Sequence, residues 1–260
     1  MILRRLFRRE TDSAPLPPPR PERLTYAVGD LHGRLDLFEA MLDAVAMDAA
    51  GVPHDLVFLG DIVDRGPDSA ALLRRMREVE AGHDRIVCLA GNHDRMLLDF
   101  LDDPEEGARW LWIGGQETVF SFGLAPVRAS AGPEGGEGLR ALAADLGEAI
   151  GAEGQAWLAA RPLWWRSGSL VAVHALTDPA LPMEAQREET LLWARPDRTL
   201  APRTDGAWVV HGHTIVPEPR VLAGHVAVDT GAWRTGRLTA AVFTPAGDAP
   251  RFVQAGAGAG

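Results

Sequence analysis

GDLHGR at 29–34, GDIVDRGPD at 60–68 and GNHDR at 91–95 follow one another early in the chain, and each closes a short apolar run. The runs are TYAV, DLVFL and RIVCLA. Such runs read as buried strands, with the Gly marking the turn at which each strand ends. Three strand ends therefore present Asp30, His32, Asp61, Asp64, Asn92, His93 and Asp94 on loops. In open α/β sheets, ligands bind just beyond the carboxyl ends of the strands. Taken singly, Asp30, Asp61 and Asn92 read as helix caps or turn residues. In register after successive strands, they read with the imidazoles as a metal site.

The surrounding pattern extends this frame. A strand at 24–29 leads to a helix at 35–50, in which Leu35, Phe38, Leu42 and Val45 keep helical spacing. A strand at 55–60 leads to a helix at 67–81 with Pro67 in its first turn, and a strand at 85–90 leads to a helix at 93–102. These are two β-α-β units, so the strands are parallel with right-handed crossovers. Residues 104–161, with WLWIGGQETVFSFG and helical patterns at 139–149 and 154–160, break the rhythm and predict a mostly helical insertion beside the site. Strands follow at 163–166, 169–174, 207–211, 220–228 and 238–243, with hairpins at RPLWWRSGSLVAV and LTAAVF. The fold class expected is α/β, two sheets packed face to face and flanked by helices. The domain spans 24–255, between a flexible basic and Pro-rich arm at 1–23 and a disordered GAGAG tail at 256–260.

Composition narrows the partners. At 260 residues and 46% hydrophobic, the chain can bury one large core. No apolar run is long enough to span a membrane, and MILRRLFRRE lacks the apolar segment of a secretory signal. The single cysteine, Cys88, fits a reducing cytoplasm. A net charge of −10 argues against nucleic acid as partner. The arm reads as a disordered tail, with weak tethering as the alternative.

The ordered strings, with VAVHAL around His174 and VVHGHT containing His211 and His213, resemble the phosphoprotein phosphatase family of the metallophosphoesterase superfamily. The pattern there is GDxHG, GDxVDRG, GNH with a following acid, and two separated His. The likeness runs from about Leu24 to about Phe243. It is greatest to compact bacterial and phage members, which include protein phosphatases and symmetrical dinucleoside-tetraphosphate hydrolases. GGQET at 114–118 recurs in the bacterial members.

The resemblance implies two divalent metals, the first on Asp30, His32 and Asp61 and the second on Asp61, Asn92, His174 and His213. An N/O donor set without thiolate suits Mn, Fe, Zn or Ni, with Mn(II) expected first. Two dications outweigh the ligand carboxylates even with a bridging hydroxide, so an acidic protein keeps an electropositive site for phosphate. That hydroxide is the expected nucleophile, attacking phosphorus in line. His93 is placed to protonate the leaving oxygen, with Asp64 and Asp94 as neighbours that favour its charged form. Asp94 stands where Glu is commoner in the family. Arg65 can fork onto phosphate oxygens, and Arg195, in LLWARP, matches a second phosphate-binding Arg.

HAL at 174–176 departs from the family's HAG or HGG. In HGHT, His213 is taken as the ligand and His211 as its neighbour. His54 and His83 read as surface residues, His225 as a turn residue, and Trp193 as core or wall. Cys88 lacks the downstream Arg of a cysteine phosphatase, and no RHG or DxDx[TV] string supplies another nucleophile. The function expected is hydrolysis of phosphate monoesters, first phosphoserine and phosphothreonine on proteins, with small phosphoesters next. Symmetrical dinucleoside-tetraphosphate hydrolysis is the alternative. A non-catalytic scaffold is the remote one, since a scaffold need not keep Arg65 and His93.

Overall fold

Strand β1 (Leu24–Val28) shows the layering in five residues. Tyr26 and Val28 face a core shared with helices, whereas Ala27 faces a second sheet. This is the period-2 alternation of a strand covered on both sides. The structure, a computed structural model, describes residues 16–125, 133–196 and 200–256.

The first sheet has the order β10-β9-β1-β2-β3, with β2 at His54–Phe58, β3 at Ile86–Cys88, β9 at Arg237–Phe243 and β10 at Arg251–Gly256. Its β1, β2 and β3 are parallel. They alternate with α1 (Leu35–Ala49), α2 (Ser69–Gly82) and α3 (Asn92–Asp102). The insertion contains α4 (Gln116–Ser121) and α5 (Pro133–Ala159), the latter broken at Gly151. The second sheet has the order β4-β5-β6-β8-β7, with β4 at Trp164–Ser167, β5 at Leu170–Val173, β6 at Trp208–His211, β7 at Arg220–Leu222 and β8 at His225–Ala227. Its β5, β6 and β8 are parallel. Two short helices, α6 (Glu188–Trp193) and α7 (Ala232–Thr235), and helical turns at Glu106–Ala108, Leu111–Gly115 and Met183–Ala185 are also present.

Three apolar layers hold these parts. Phe38, Met41, Phe58, Leu72 and Phe100 pack between the first sheet and its helices. Val57, Leu59, Leu170, Ala172 and Val210 pack between the sheets. Val171, Val173, Leu191 and Met183 lie on the outer face of the second sheet. Truncating a buried aromatic such as Phe58 to Ala costs about 3–5 kcal/mol.

Four sequence expectations are corrected. The helix expected from 67 begins at Ser69, because Pro67 belongs to the turn that follows two left-handed residues, Asp64 and Arg65. The single strand expected at 220–228 is a hairpin, β7–β8, turned at Ala223 and Gly224, both at positive φ. Gly256, assigned to a tail, ends β10, which pairs with β9; residues 257–260 lie outside the described residues. The arm's last residues are pinned to the second sheet. Trp208 Nε1 donates to the Pro17 carbonyl at 2.7 Å, and Arg20 N donates to Ser169 Oγ at 2.8 Å. No helix among the described residues is long and apolar enough to cross a membrane.

Candidate metal centre

The parallel strands of both sheets end at one rim, and the site is built there. Turns after β1, β2 and β3 carry Asp30 and His32, Asp61 to Arg65, and Asn92 to Asp94. Those after β5 and β6 carry His174 and His213. Holding so many side chains against one centre bends the backbone. His32, Asp61, Asp64, Arg65 and His213 all have positive φ, from 45 to 76°. Such conformations cost non-glycine residues free energy and concentrate at functional sites.

Two groups of donor atoms, each within 4.8 Å, form here: Asp61 with His174 and His213, and Asp61 with His32 and His93. Backbone carbonyls fix the imidazoles. His174 Nδ1 donates to Leu59 O at 2.8 Å and His32 Nδ1 to Val63 O at 2.9 Å, so each turns its Nε2 lone pair inward. Burial keeps these rings neutral, lowering His32 to about 3 and His213 to about 4, with His174 lowered as well. Asn92 Oδ1 lies 2.9 Å from both His174 Nε2 and His213 Nδ1. With its Nδ1 donating to Leu59 O, His174 turns a lone pair toward this amide oxygen, a contact that is repulsive until a cation joins the two.

The carboxylates fit the same charge. Burial, then Asp229 and Asp61, pushes the Asp30 carboxyl well up. Burial also raises Asp61, but His174, His93 and His32 outweigh it and hold the group low. His213 N donates to Asp30 Oδ1 at 3.1 Å, and a side chain on Gly212 would run into that oxygen. Asp30 itself lies outside the two tight groups and joins the site through this contact. Neutral imidazoles, a carboxamide and crowded buried carboxylates form a donor set that fits divalent metal ions.

His93 sits beside these donors. Its Nδ1 lies 2.6 Å from Asp64 Oδ2. Burial opposes charge on the ring, but Asp61 and Asp64 outweigh it and raise the His93 pKa. Arg65 spans the opening, with NH1 3.0 Å from His32 Nε2 and NH2 2.8 Å from His93 Nε2. The guanidinium thus faces the His32 lone pair as another cation would, and its charge works against a proton on His93. Arg195 is exposed after α6, and its charge helps lower the His213 pKa.

Asp94 departs from its expected place beside His93. Its Oδ1 accepts from Ile62 N and its Oδ2 from Gly91 N, both at 2.9 Å. It braces the start of α3 against the 61–63 turn. Because Asp is short and sits at the start of the helix, it meets those backbone N–H groups rather than the imidazole.

Three residues escaped the sequence reading. Asp229 is buried, raised to about 6 by that burial, and electrostatically joined to Asp30. VAVDTG repeats the apolar-run-then-acid signature of the first motif. Trp110 Nε1 donates to Asp64 Oδ2 and Thr118 Oγ1 to Asp64 Oδ1, both at 2.7 Å, so the insertion holds the partner of His93. GGQET was visible as a recurring string, but its contact with Asp64 was not.

The remaining histidines fall away from the donors. His211 is buried against His225, with ring centroids 6.0 Å apart, and His225 Nε2 contacts Ala201 O at 3.0 Å. His225 lies in β8, one residue beyond the turn expected to hold it. His54 opens β2, and His83 is exposed.

Known proteins resemble this chain in sequence and in fold. A symmetrical bis(5'-nucleosyl)-tetraphosphatase of Pseudomonas fluorescens SBW25 is 46% identical over 74 residues, 28% of this chain and 24% of that protein. Another, from Pseudomonas entomophila L48, is 30% identical over 152 residues, 50% and 51% of the two chains. These matches span about a quarter to a half of the relatives' length. A crystal structure of a proposed diadenosine tetraphosphatase shares the fold, with a TM-score of 0.59 over 92% of this chain and 97% of that one at 22% identity. The calcineurin-like phosphoesterase family model matches residues 24–217, and with the donors at its strand ends the chain belongs to that family.

Proposed function

We propose that this chain is a metal-dependent phosphoesterase that cleaves dinucleoside tetraphosphates symmetrically, at the central anhydride. The carrying observation is Arg65. Its guanidinium touches His32 and His93, and the residue lines a cleft of about 440 Å³. That size suits a small organic phosphate. The relatives' activity points the same way. This places first the substrate that the sequence alone ranked second.

Asp61, Asn92, His174 and His213, with His32 and Asp30 opposite, would hold two divalent cations. Bound there, the cations supply a nucleophile from water at neutral pH and offset phosphate charge. Arg65 binds a phosphoryl oxygen and orients it. In doing so it releases His93 Nε2, which can then carry a proton to the leaving oxygen. Asp64, held by Trp110 and Thr118, fixes the ring and favours its charged form.

HGHT, with His213 at the donors and His211 away from them, supports a second reading, a protein serine/threonine phosphatase. Metal-loaded protein assayed on diadenosine tetraphosphate, a phosphopeptide and p-nitrophenyl phosphate separates the two. Two molecules of adenosine diphosphate from each tetraphosphate, at a kcat/KM well above that on the peptide, are expected. The reverse order would establish the second reading instead.

A further inference from the structure

We infer that the cleft above Arg65 is a nucleoside subsite, in which Trp112 and Trp233 take one purine base of a nucleoside polyphosphate. The inference rests on the hydrolase reading for its substrate and on the cleft for its residues. Trp112 is 72% exposed, an indole whose apolar surface the fold does not use. Trp233, on α7, lies against the Arg65 guanidinium, 5.4 Å from ring centroid to Cζ. Its Nε1 is buried without a partner. A buried N–H costs free energy unless it donates, so the ring gains if it turns to give this proton to a ribose hydroxyl in the cleft.

The insertion is shaped to put Trp112 there. Gly114 has φ 131° and accepts from Arg65 N at 3.0 Å. A side chain at Gly114 would come within 2.8 Å of Arg65 Cγ, so only glycine lets this bend lie on the arginine. The bend carries Trp112 and Ile113 to one wall, while Trp233 comes from beyond β8. Gln116 and Glu117 line the same cleft and offer acceptors for an exocyclic amino group and a donor for a ring nitrogen. Phosphate at Arg65 and base between indoles follows the direction of a nucleotide.

The neighbouring cleft, about 530 Å³, contains Trp193 and Trp110 but also Asp99, Asp102, Asp103 and Glu106. Four carboxylates against one arginine, Arg109, would repel a polyphosphate, whereas the cleft above Arg65 sets that arginine against Glu117 alone.

The test is adenosine diphosphate binding, measured calorimetrically with chelator and again in metal-loaded protein. Trp112→Ala and Trp233→Leu should each weaken it about tenfold, as expected for a lost base–aromatic stack, and Trp112→Phe should restore most of it. Inorganic phosphate, which has no base, should be affected far less. Phe120→Ala, at an exposed site outside the cleft, should leave binding and p-nitrophenyl phosphate turnover unchanged. For diadenosine tetraphosphate the loss should appear in KM rather than kcat. Symmetrical cleavage by the parent protein with affinity unchanged in both tryptophan variants overturns the subsite and leaves the hydrolase reading standing. Indole-dependent binding in a protein that cleaves no dinucleoside tetraphosphate overturns that reading and keeps the subsite. No binding of adenosine diphosphate overturns the subsite.

Discussion

His93 Nδ1 lies 2.6 Å from Asp64 Oδ2, and both side chains are buried. The contact places the ring with Nε2 facing the opening, where Arg65 also points. His93→Asn keeps a polar group of similar size but cannot deliver a proton from that atom. It should lower kcat by about 10²–10⁴-fold, the range general acid catalysis supplies. Metal content, read by elemental analysis, should stay near that of the parent. The loss should shrink on p-nitrophenyl phosphate, whose leaving group needs little protonation. Equal losses on that ester and an alkyl phosphate would remove His93 from proton delivery.

Trp110 reaches the same oxygen of Asp64 from the insertion, at 2.7 Å. Trp110→Phe preserves most of the buried ring and deletes only this donor. One charge-assisted hydrogen bond is worth about 1.5–3 kcal/mol, so kcat should fall by roughly ten- to a hundredfold. Phosphate affinity, which depends on Arg65, should hold. A variant with unchanged kcat would reduce Trp110 to a packing residue.

Asp94 is a brace here, so its loss should appear as stability rather than chemistry. Asp94→Asn keeps one acceptor but turns N–H groups toward Ile62 N or Gly91 N. Leaving buried donors unpaired costs about 1–3 kcal/mol, visible as a lower denaturation midpoint. The preference for acidic leaving groups, set by His93, should match the parent. A preference that vanished as it does in His93→Asn would put Asp94 back in the acid's own machinery.

The motifs were legible because each joins a strand to its own turn, so apolar run, glycine and donors are contiguous. Asp30, His32, Asp61, Asn92 and His93 lie in those turns, and the likeness to the family supplied their expected roles. What sequence hid was pairing across distance. Strand β10 is recognisable only once β9 offers an edge, and the hairpin at Ala223–Gly224 only through two left-handed residues in succession. Asp94 could be grouped with His93 by adjacency, yet successive helix residues point in different directions. Trp110 and Thr118 lie far along the chain from Asp64, and a recurring string does not say which residue it touches. The cleft walls combine Trp112 with Trp233, which sequence cannot bring together.

Buried Asp30 and Asp61 repel one another, with Asp229 adding to the charge, so cation binding should stabilise as well as activate. Exhaustive chelation should abolish turnover, and Mn(II) should be among the best metals added back. A cation at a hundred times its Kd adds roughly 2.7 kcal/mol per site. That should raise Tm by about 2–4 °C for each kcal/mol. Cys88 offers a second measure, because burial pushes its thiol up and hides it in β3. Labelling of this cysteine in mild denaturant should slow when metal is added. Full activity in the chelated protein would sink the two-metal assignment.

The HGHT histidines give the sharpest test of the donor set. His213 brings Nδ1 to 2.9 Å from Asn92 Oδ1, and the lack of a side chain at Gly212 lets that turn close on Asp30. His211 still belongs to β6, faces His225, and is held neutral by burial, its pKa lowered to about 4. His213→Ala should therefore lose one metal per chain and most activity. His211→Ala should keep both metals and lose stability instead, through the cavity it leaves. Gly212→Ala should also lose one metal, but the one on Asp30, because its methyl group would displace that carboxylate. Metal loss in His211→Ala but not in His213→Ala would reverse the assignment. One metal lost from each variant would mean that both rings ligate, one per cation, and the protein-phosphatase reading would then lose the local feature that favours it.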